Sequence, residues 1–159
     1  MIFSNIWQKT QLKFSGRYEV LNNEQHIVRH CIADKMTGEI GMEAFELSDR
    51  DIEKAREKKQ KPCISTQWFE YWENNLSKVI EALKKRKLKI TERSRFSCLK
   101  VEVVKKIGKK YGMNLDVAHS GDGHAGIYNV SKNDTYGRYY QFKRDMMFEG
   151  RRNLLSKDN

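Results

Sequence analysis

The clearest indication of the fold lies between Leu115 and Val130, where the chain reads LDVAHSGDGHAGIYNV. Two short apolar runs, Leu115–Ala118 and Ala125–Val130, flank a glycine-rich loop. Gly-Asp-Gly is ordinary chemistry for the turn of a β-hairpin, because glycine and aspartate tolerate the backbone conformations of tight turns. The stretch therefore predicts two antiparallel strands in the last third of the chain.

The loop between those strands also carries candidate chemistry. It places two imidazoles, His119 and His124, close in sequence to the carboxylate of Asp122 and to a serine hydroxyl. Imidazole titrates near neutral pH and can move protons, and a carboxylate can orient it. The competing interpretation is a plain hairpin turn, which the sequence favours. The loop lacks a third, distant metal ligand, so we expect neither a metal nor a cofactor.

The first third of the chain also predicts strands. Apolar and polar side chains alternate over residues 12–20 around Ser15-Gly16, a pattern typical of a hairpin. The next three segments predict a strand, a turn and a returning strand, and they are His26–Ala33, Asp34–Gly38 and Glu39–Leu47. A short strand is also expected at Leu88–Ile90.

The middle of the chain predicts about three helices. The first begins after Ser48, a favourable N-cap residue. The second, capped by Ser65 or Thr66, has the strongest periodicity, with spacings of 4, 4, 3 and 4 between Trp68, Trp72, Leu76, Val79 and Leu83. The third spans Leu99–Tyr111, although residues 99–104 also alternate like a strand.

Together these elements predict a single compact α+β domain over residues 1–159, with antiparallel strands at both ends and about three helices in the middle. The expected segments are a β-rich part (1–47), a mostly helical part (48–112), a second β-rich part (113–149) and a charged, frayed tail (150–159). The second β-rich part includes a strand over Tyr136–Lys143.

The composition points to the cytoplasm. No uncharged apolar run approaches the roughly 18 residues of a membrane helix, and the first seven residues lack the pattern of a signal peptide. The three cysteines, Cys31, Cys63 and Cys98, are odd in number and widely spaced, which is typical of a reducing compartment. We expect them to act as small buried hydrophobic residues.

The net charge of +10 is concentrated in one window. Residues 76–112 carry thirteen basic and three acidic side chains, and the rest of the chain is close to neutral. The window predicts a localised contact, with a partner protein or a nucleic acid, through Lys84, Lys85, Arg86, Lys105, Lys106, Lys109 and Lys110. An acidic group, Glu46, Asp49 and Asp51, is a second candidate contact. The alternative for the basic window is a solvated helix face.

Two nucleic-acid resemblances follow from these elements. A basic helix over Lys100–Lys110 followed by a hairpin resembles a winged-helix module, with His119–His124 as the tip of the wing. Gly126-Ile127-Tyr128 resembles the opening of a GIY-YIG nuclease. However, the second half of that motif reads Thr135-Tyr136-Gly137, and 33 residues after Gly126 are too few for the remainder of that fold. We therefore do not expect this nuclease.

In length and style the chain resembles the type II-A anti-CRISPR proteins, inhibitors of Cas9 carried by phages and mobile elements. The resemblance is one of the whole chain, which is rich in lysine (20 Lys against 11 Arg), asparagine, isoleucine and tyrosine, and no short motif carries it. It implies a non-enzymatic protein that binds a Cas9-type nuclease, alone or with its guide RNA, in the host cytoplasm. The alternative is a basic regulator that binds nucleic acid through residues 76–112.

Overall fold

Six strands form one sheet in the computed structural model, which describes residues 18–157. The strands are β1 (Glu19–Val20), β2 (His26–Ile32), β3 (Cys63–Trp68), β4 (Ser94–Lys100), β5 (Asp116–Gly121) and β6 (His124–Tyr128). Their order in space is β1-β5-β6-β3-β2-β4, and all neighbouring pairs are antiparallel. The predicted single α+β domain with an antiparallel sheet is confirmed.

Four α-helices accompany the sheet in the described part of the chain: α1 (Asp49–Glu57), α2 (Leu76–Lys85), α3 (Val101–Lys110) and α4 (Arg138–Arg152). Ser48 caps α1 as predicted, because its hydroxyl accepts a hydrogen bond from the amide of Asp51 at 3.1 Å. Short 3₁₀ turns occupy Met42–Phe45, Glu70–Trp72 and Thr135–Gly137. Among the described residues, no helix is long and apolar enough to cross a membrane.

The helices pack on opposite faces of the sheet. Side chains alternate across a strand, so Ile27 and Cys31 of β2 lie on one face and Val28 lies on the other. The first, the α3/α4 face, is covered by Val101, Val104, Phe142 and Met146. The second, the α2 face, is covered over β2 and β4 by Leu76, Val79 and Leu83. Each face therefore has its own buried apolar cluster.

The outer edge of β4 is partly covered by residues 153–155. The amide of Cys98 donates to the carbonyl of Asn153 at 2.9 Å, and the amide of Leu155 donates to the carbonyl of Phe96 at 2.8 Å. Residues 153–155 thus add a short stretch of pairing beside the strand. The prediction of a frayed tail from Gly150 is wrong for the described residues, since α4 continues to Arg152 and the paired segment follows it.

The long helix predicted from Trp68 to Leu83 is wrong in its first half. Ser65, Thr66 and Trp68 belong to β3, a central strand of the sheet, and α2 begins only at Leu76. The amide group of Asn75 is the true cap, because its side-chain oxygen accepts from the amide of Lys78 at 3.3 Å. The middle of the chain is therefore less helical than predicted, since β3 and β4 both lie within residues 48–112.

The strand predicted over Tyr136–Lys143 is also wrong. Gly137 adopts a left-handed conformation with φ of +68°, and α4 starts at the next residue. Tyr139, Phe142 and Met146 then follow at spacings of three and four and are buried together against the α3/α4 face. Residues 113–149 are therefore a hairpin followed by a helix.

The remaining predictions divide between confirmed and wrong. The strand at His26–Ala33 and the turn at Asp34–Gly38 are confirmed, and α3 fills most of the predicted Leu99–Tyr111 helix. The returning strand over Glu39–Leu47 is reduced to one bridge between Ile40 and Ala33 before a 3₁₀ turn. Leu88–Ile90 forms no strand. Most of the predicted hairpin at 12–20 lies outside the described residues, with only Tyr18 and β1 within them.

Candidate functional site

A cleft of about 1010 Å³ lies on the α2 face of the sheet, over the strands that α2 leaves uncovered. Its floor, called here the cleft floor, consists of side chains from β3, β5 and β6 and the residue before β1, namely Tyr18, Cys63, Ser65, Asp116, Ser120, His124 and Tyr128. Its walls come from α1 and the segment after it, and from the residues that follow α2.

A glycine shapes the cleft floor. A β-carbon on Gly126 of β6 would stand 2.6 Å from Sγ of Cys63 and 2.8 Å from Cε2 of Tyr128, both far inside contact distance. Only glycine therefore lets these two side chains lie across β6. The ring of Tyr18 then packs on Tyr128, with 4.9 Å between the ring centroids.

Five cationic side chains surround the cleft. This cationic rim consists of Lys54, Lys58, Lys59, Lys61 and Arg86, all exposed to solvent. Within residues 18–157 none of the five forms an ion pair, and Lys61 bonds to the amide oxygen of Asn129 at 3.2 Å. Three carboxylates, Asp51, Asp116 and Asp122, also line the cleft, so cations outnumber them by two. The rim is suited to an anionic ligand.

The cleft floor contains a hydrogen-bonded pair. Oγ of Ser120 lies 2.5 Å from Nδ1 of His124. Burial, together with the positive charge of Arg86 and further charged neighbours, lowers the pKa of His124 to about 4. The imidazole is therefore neutral at pH 7. Burial also raises the pKa of Tyr128 and of the Cys63 thiol, so these groups stay protonated.

His119 lies away from this cleft. It pairs in register with Ala125 and so faces the α3/α4 side of the sheet, where its ring lies 5.0 Å from Trp68 and 5.1 Å from Tyr71. Its Nε2 accepts a hydrogen bond from the amide of Gly123 at 2.9 Å, which closes the hairpin turn. The structure therefore brings His124 and Asp122 to one cleft and places His119 in a turn.

The basic window of the sequence is divided in space. Arg86 lines the cleft, whereas Lys84 and Lys85 are exposed outside it. The four lysines of α3 belong to the opposite face: Lys106 pairs with Glu102 at 3.3 Å, Lys110 pairs with Asp145 at 3.1 Å, and Lys105 and Lys109 line a smaller cavity of about 460 Å³. The basic residues of 76–112 therefore do not form one continuous surface, because α2 and α3 lie on different faces of the sheet. Contact of this window with a partner stays a prediction.

The winged-helix outline is also wrong. β5 pairs with β1 and β6, and β6 pairs with β5 and β3, so both strands of the hairpin lie inside the sheet. The loop His119–His124 is consequently the turn of two internal strands and is packed against aromatic side chains. In the part of the chain that the structure describes, no group of three or more His, Cys, Asp or Glu side chains is arranged to hold a metal ion.

The predicted acidic group is likewise spread out. Asp51 lines the cleft, Asp49 pairs with Lys132 at 2.9 Å, and Glu46 pairs with Lys143 at 3.8 Å. Asp49 is nevertheless 98% exposed, and it begins the helix whose far end carries part of the cationic rim. Acidic and basic side chains therefore stand at the two ends of α1.

Sequence reasoning missed the lysines of α1 and the segment after it. Lys54, Lys58, Lys59 and Lys61 lie in a window, residues 51–75, whose charges sum to zero, so averaging concealed them. The signal that was present is the run of lysines directly before Pro62. The role of Ser120 and Tyr128 on the cleft floor follows from strand register, which the sequence alone does not supply.

Comparison with known proteins adds no relative: no family model, no curated protein and no solved structure matches the chain.

Proposed function

We propose that the protein acts by binding, and that it holds a single-stranded nucleic acid in the cleft. The observation that carries this proposal is the cationic rim: five exposed cations without ion-pair partners among the described residues surround a floor that includes two tyrosines. Single strands are bound in this way in general, with lysine and arginine along the phosphates and aromatic rings beside the bases. Release of counterions from the phosphates supplies much of the affinity.

The chemistry of the cleft floor favours binding over catalysis. A general base works best when its pKa lies near the working pH, and the pKa of His124 is about 4. The Cys63 thiol has a raised pKa, so its reactive thiolate is scarce at neutral pH. His124 is thus a weak base, and Cys63 is held as the unreactive thiol.

A charge-reversal pair tests the proposal. Lys58→Glu/Lys59→Glu changes two rim residues, and Lys84→Glu/Lys85→Glu makes the same charge change at exposed positions outside the cleft. Binding of a labelled oligonucleotide of about ten nucleotides is followed by fluorescence anisotropy, and circular dichroism checks the fold. We expect the rim variant to bind at least tenfold more weakly and the control variant to change less than threefold. Equal losses in both variants, or no binding by the unchanged protein, overturn the proposal.

A second candidate is inhibition of a Cas9-type nuclease, an evasion of host defence by a phage or mobile element. It is favoured by the placement of opposite charges at the two ends of α1, with exposed Asp49 at one end and Lys58 at the other. A partner with a basic protein surface and a bound RNA strand could contact both ends of α1, the protein surface at Asp49 and the RNA at Lys58. Cleavage of target DNA by a Cas9–guide complex is then inhibited stoichiometrically, whereas inactivation at substoichiometric amounts contradicts inhibition by binding.

A further inference from the structure

We infer that the cleft floor binds one ribonucleoside of the strand, with its base over Tyr18 and the Ser120–His124 pair and its ribose at the carboxylate of Asp122. This inference rests on the proposed function, because the same strand lies on the cationic rim. It adds two binding preferences that the cationic rim alone does not produce. The first is for RNA over DNA, and the second is for a strand with bases over an abasic strand.

The distribution of charge in the cleft suits the phosphate and the base of a nucleotide at different places. All five cations belong to the rim, while the cleft floor carries neutral hydroxyl, thiol and imidazole groups and the carboxylate of Asp116. A phosphate on this floor would lose hydration and would lie beside the carboxylate of Asp116, which is unfavourable. A base is uncharged and planar, so it can occupy the floor while its phosphates remain at the rim.

The floor also offers suitable contacts for a base. Tyr18 is only partly buried, and its ring packs on the almost fully buried ring of Tyr128 with 4.9 Å between centroids. Tyr128 therefore holds Tyr18 in place as a stacking surface. Ser120 and His124, 2.5 Å apart, add a hydroxyl and a neutral imidazole, which between them donate and accept hydrogen bonds at a base edge.

The carboxylate of Asp122 provides a reason to prefer RNA. Asp122 is exposed at the hairpin turn and lines the cleft, with a left-handed backbone conformation at φ of +51°. A carboxylate repels phosphate and accepts a hydrogen bond from a hydroxyl group. The ribose 2′-hydroxyl is the group through which proteins distinguish RNA from DNA. An exposed carboxylate in a cleft where cations outnumber carboxylates thus fits the sugar of RNA.

The test compares three probes of about ten nucleotides: oligouridine, oligodeoxyuridine of the same length, and an abasic deoxyribose-phosphate strand. We expect the RNA to bind several-fold more tightly than the DNA, and the DNA to bind about tenfold more tightly than the abasic strand. If no probe binds, the proposed function fails together with the inference. If all three bind equally and the rim variant weakens all three, the proposed function stands and the inference is overturned.

Two variants assign the preferences to residues. Tyr18→Leu is expected to remove most of the advantage of DNA over the abasic strand and to leave abasic binding unchanged. Asp122→Asn is expected to bring the RNA-to-DNA ratio close to one, and asparagine tolerates the same left-handed backbone. Glu81→Gln, an equivalent change at an exposed position outside the cleft, is the control and is expected to leave both ratios unchanged. Retention of both ratios in the cleft variants overturns the inference.

Discussion

The indole of Trp72 lies directly against the backbone of Gly123: a β-carbon built on that glycine would stand 2.4 Å from Cε2 and from Nε1 of the indole. The same ring donates from Nε1 to the side-chain oxygen of Gln67 at 3.1 Å, so it is held in position. Gly123 also has a φ of +81°. The hairpin turn beside the cleft thus depends on a glycine for both its shape and its packing.

Gly123→Ala is therefore expected to destabilise the protein by about 3 kcal/mol, since it adds overpacking against Trp72 to the strain of a left-handed residue. Gly38→Ala is the matched control, because Gly38 has a φ of +71° with no atom within 4 Å of the added carbon. It should cost only the strain, about 1 kcal/mol. Urea unfolding measures both values, and equal losses would show that the contact with Trp72 is unimportant.

The stability of the protein is expected to fall as the pH is lowered from about 6.5 to about 4, through the titration of His124. Its pKa is lowered to about 4 in the folded state, so the unfolded chain binds the proton first and protonation favours unfolding. The size of this effect is on the order of 3 kcal/mol. The free energy of unfolding is measured as a function of pH in the unchanged protein and in His124→Asn. The variant is expected to lose this fall in stability. If both proteins show the same pH dependence, the assignment to His124 is contradicted.

Asp145→Asn is expected to weaken the contact between α3 and α4 by about 1–3 kcal/mol. Although burial opposes it, hydrogen bonds from Tyr111 at 2.5 Å and Lys110 at 3.1 Å lower the pKa of the Asp145 carboxyl. Its contribution is present above the pKa of the unfolded chain and is lost as the pH falls through the folded value. Thermal or urea unfolding measures the effect. Glu102→Gln, the control, breaks ion pairs at the surface and should lower the free energy of unfolding by less than about 0.5 kcal/mol in the same measurement.

The salt dependence of nucleic-acid binding should report the cationic rim. For single strands, the slope of log K against log salt is about −0.7 for each phosphate neutralised. Lys59→Ala is expected to make the slope shallower by about 0.7, whereas Lys85→Ala, outside the cleft, should leave it unchanged. Anisotropy titrations between low and physiological salt measure both slopes, and identical changes in the two variants would place the contact elsewhere.

The cysteine thiols are expected to react slowly in the folded protein at neutral pH. Burial raises the pKa of Cys31 and of Cys98 to about 11, and it also raises that of Cys63. Since the thiolate is the reactive form, labelling by a disulfide reagent should be slow until urea unfolds the chain. Rapid labelling of one cysteine in the native state would show that its surroundings open readily.

The elements that the sequence predicted correctly are those with local signals. The β5–β6 hairpin follows from a Gly-Asp-Gly turn between apolar runs, and α1 follows from the Ser48 cap. Each signal lies within a few residues of the structure that it specifies. The confirmed strand β2 similarly ends in a turn, where the side chain of Asp34 accepts from the amides of Met36 and Thr37.

The wrong predictions concern segments whose secondary structure is decided by contacts with residues far away in the sequence. Trp68, Trp72 and Leu76 have helical spacing, yet they occupy three environments: the α3/α4 face of β3, the hairpin turn and the first turn of α2. Trp68 is in a strand because β3 pairs with β2 and β6, and these strands come from segments far apart in the chain. The cleft also depends on contacts between distant segments. Two residues of its cationic rim, Lys58 and Arg86, are 28 positions apart in the sequence.

The segment of residues 153–155 beside β4 has a consequence for self-association. β4 is a seven-residue strand at the end of the sheet order, and an uncovered strand of this kind is a template on which a second chain can add its own strand. The amide of Cys98 and the carbonyl of Phe96 are already occupied by Asn153 and Leu155. These few residues therefore occupy backbone groups through which a second strand would pair with the middle of β4.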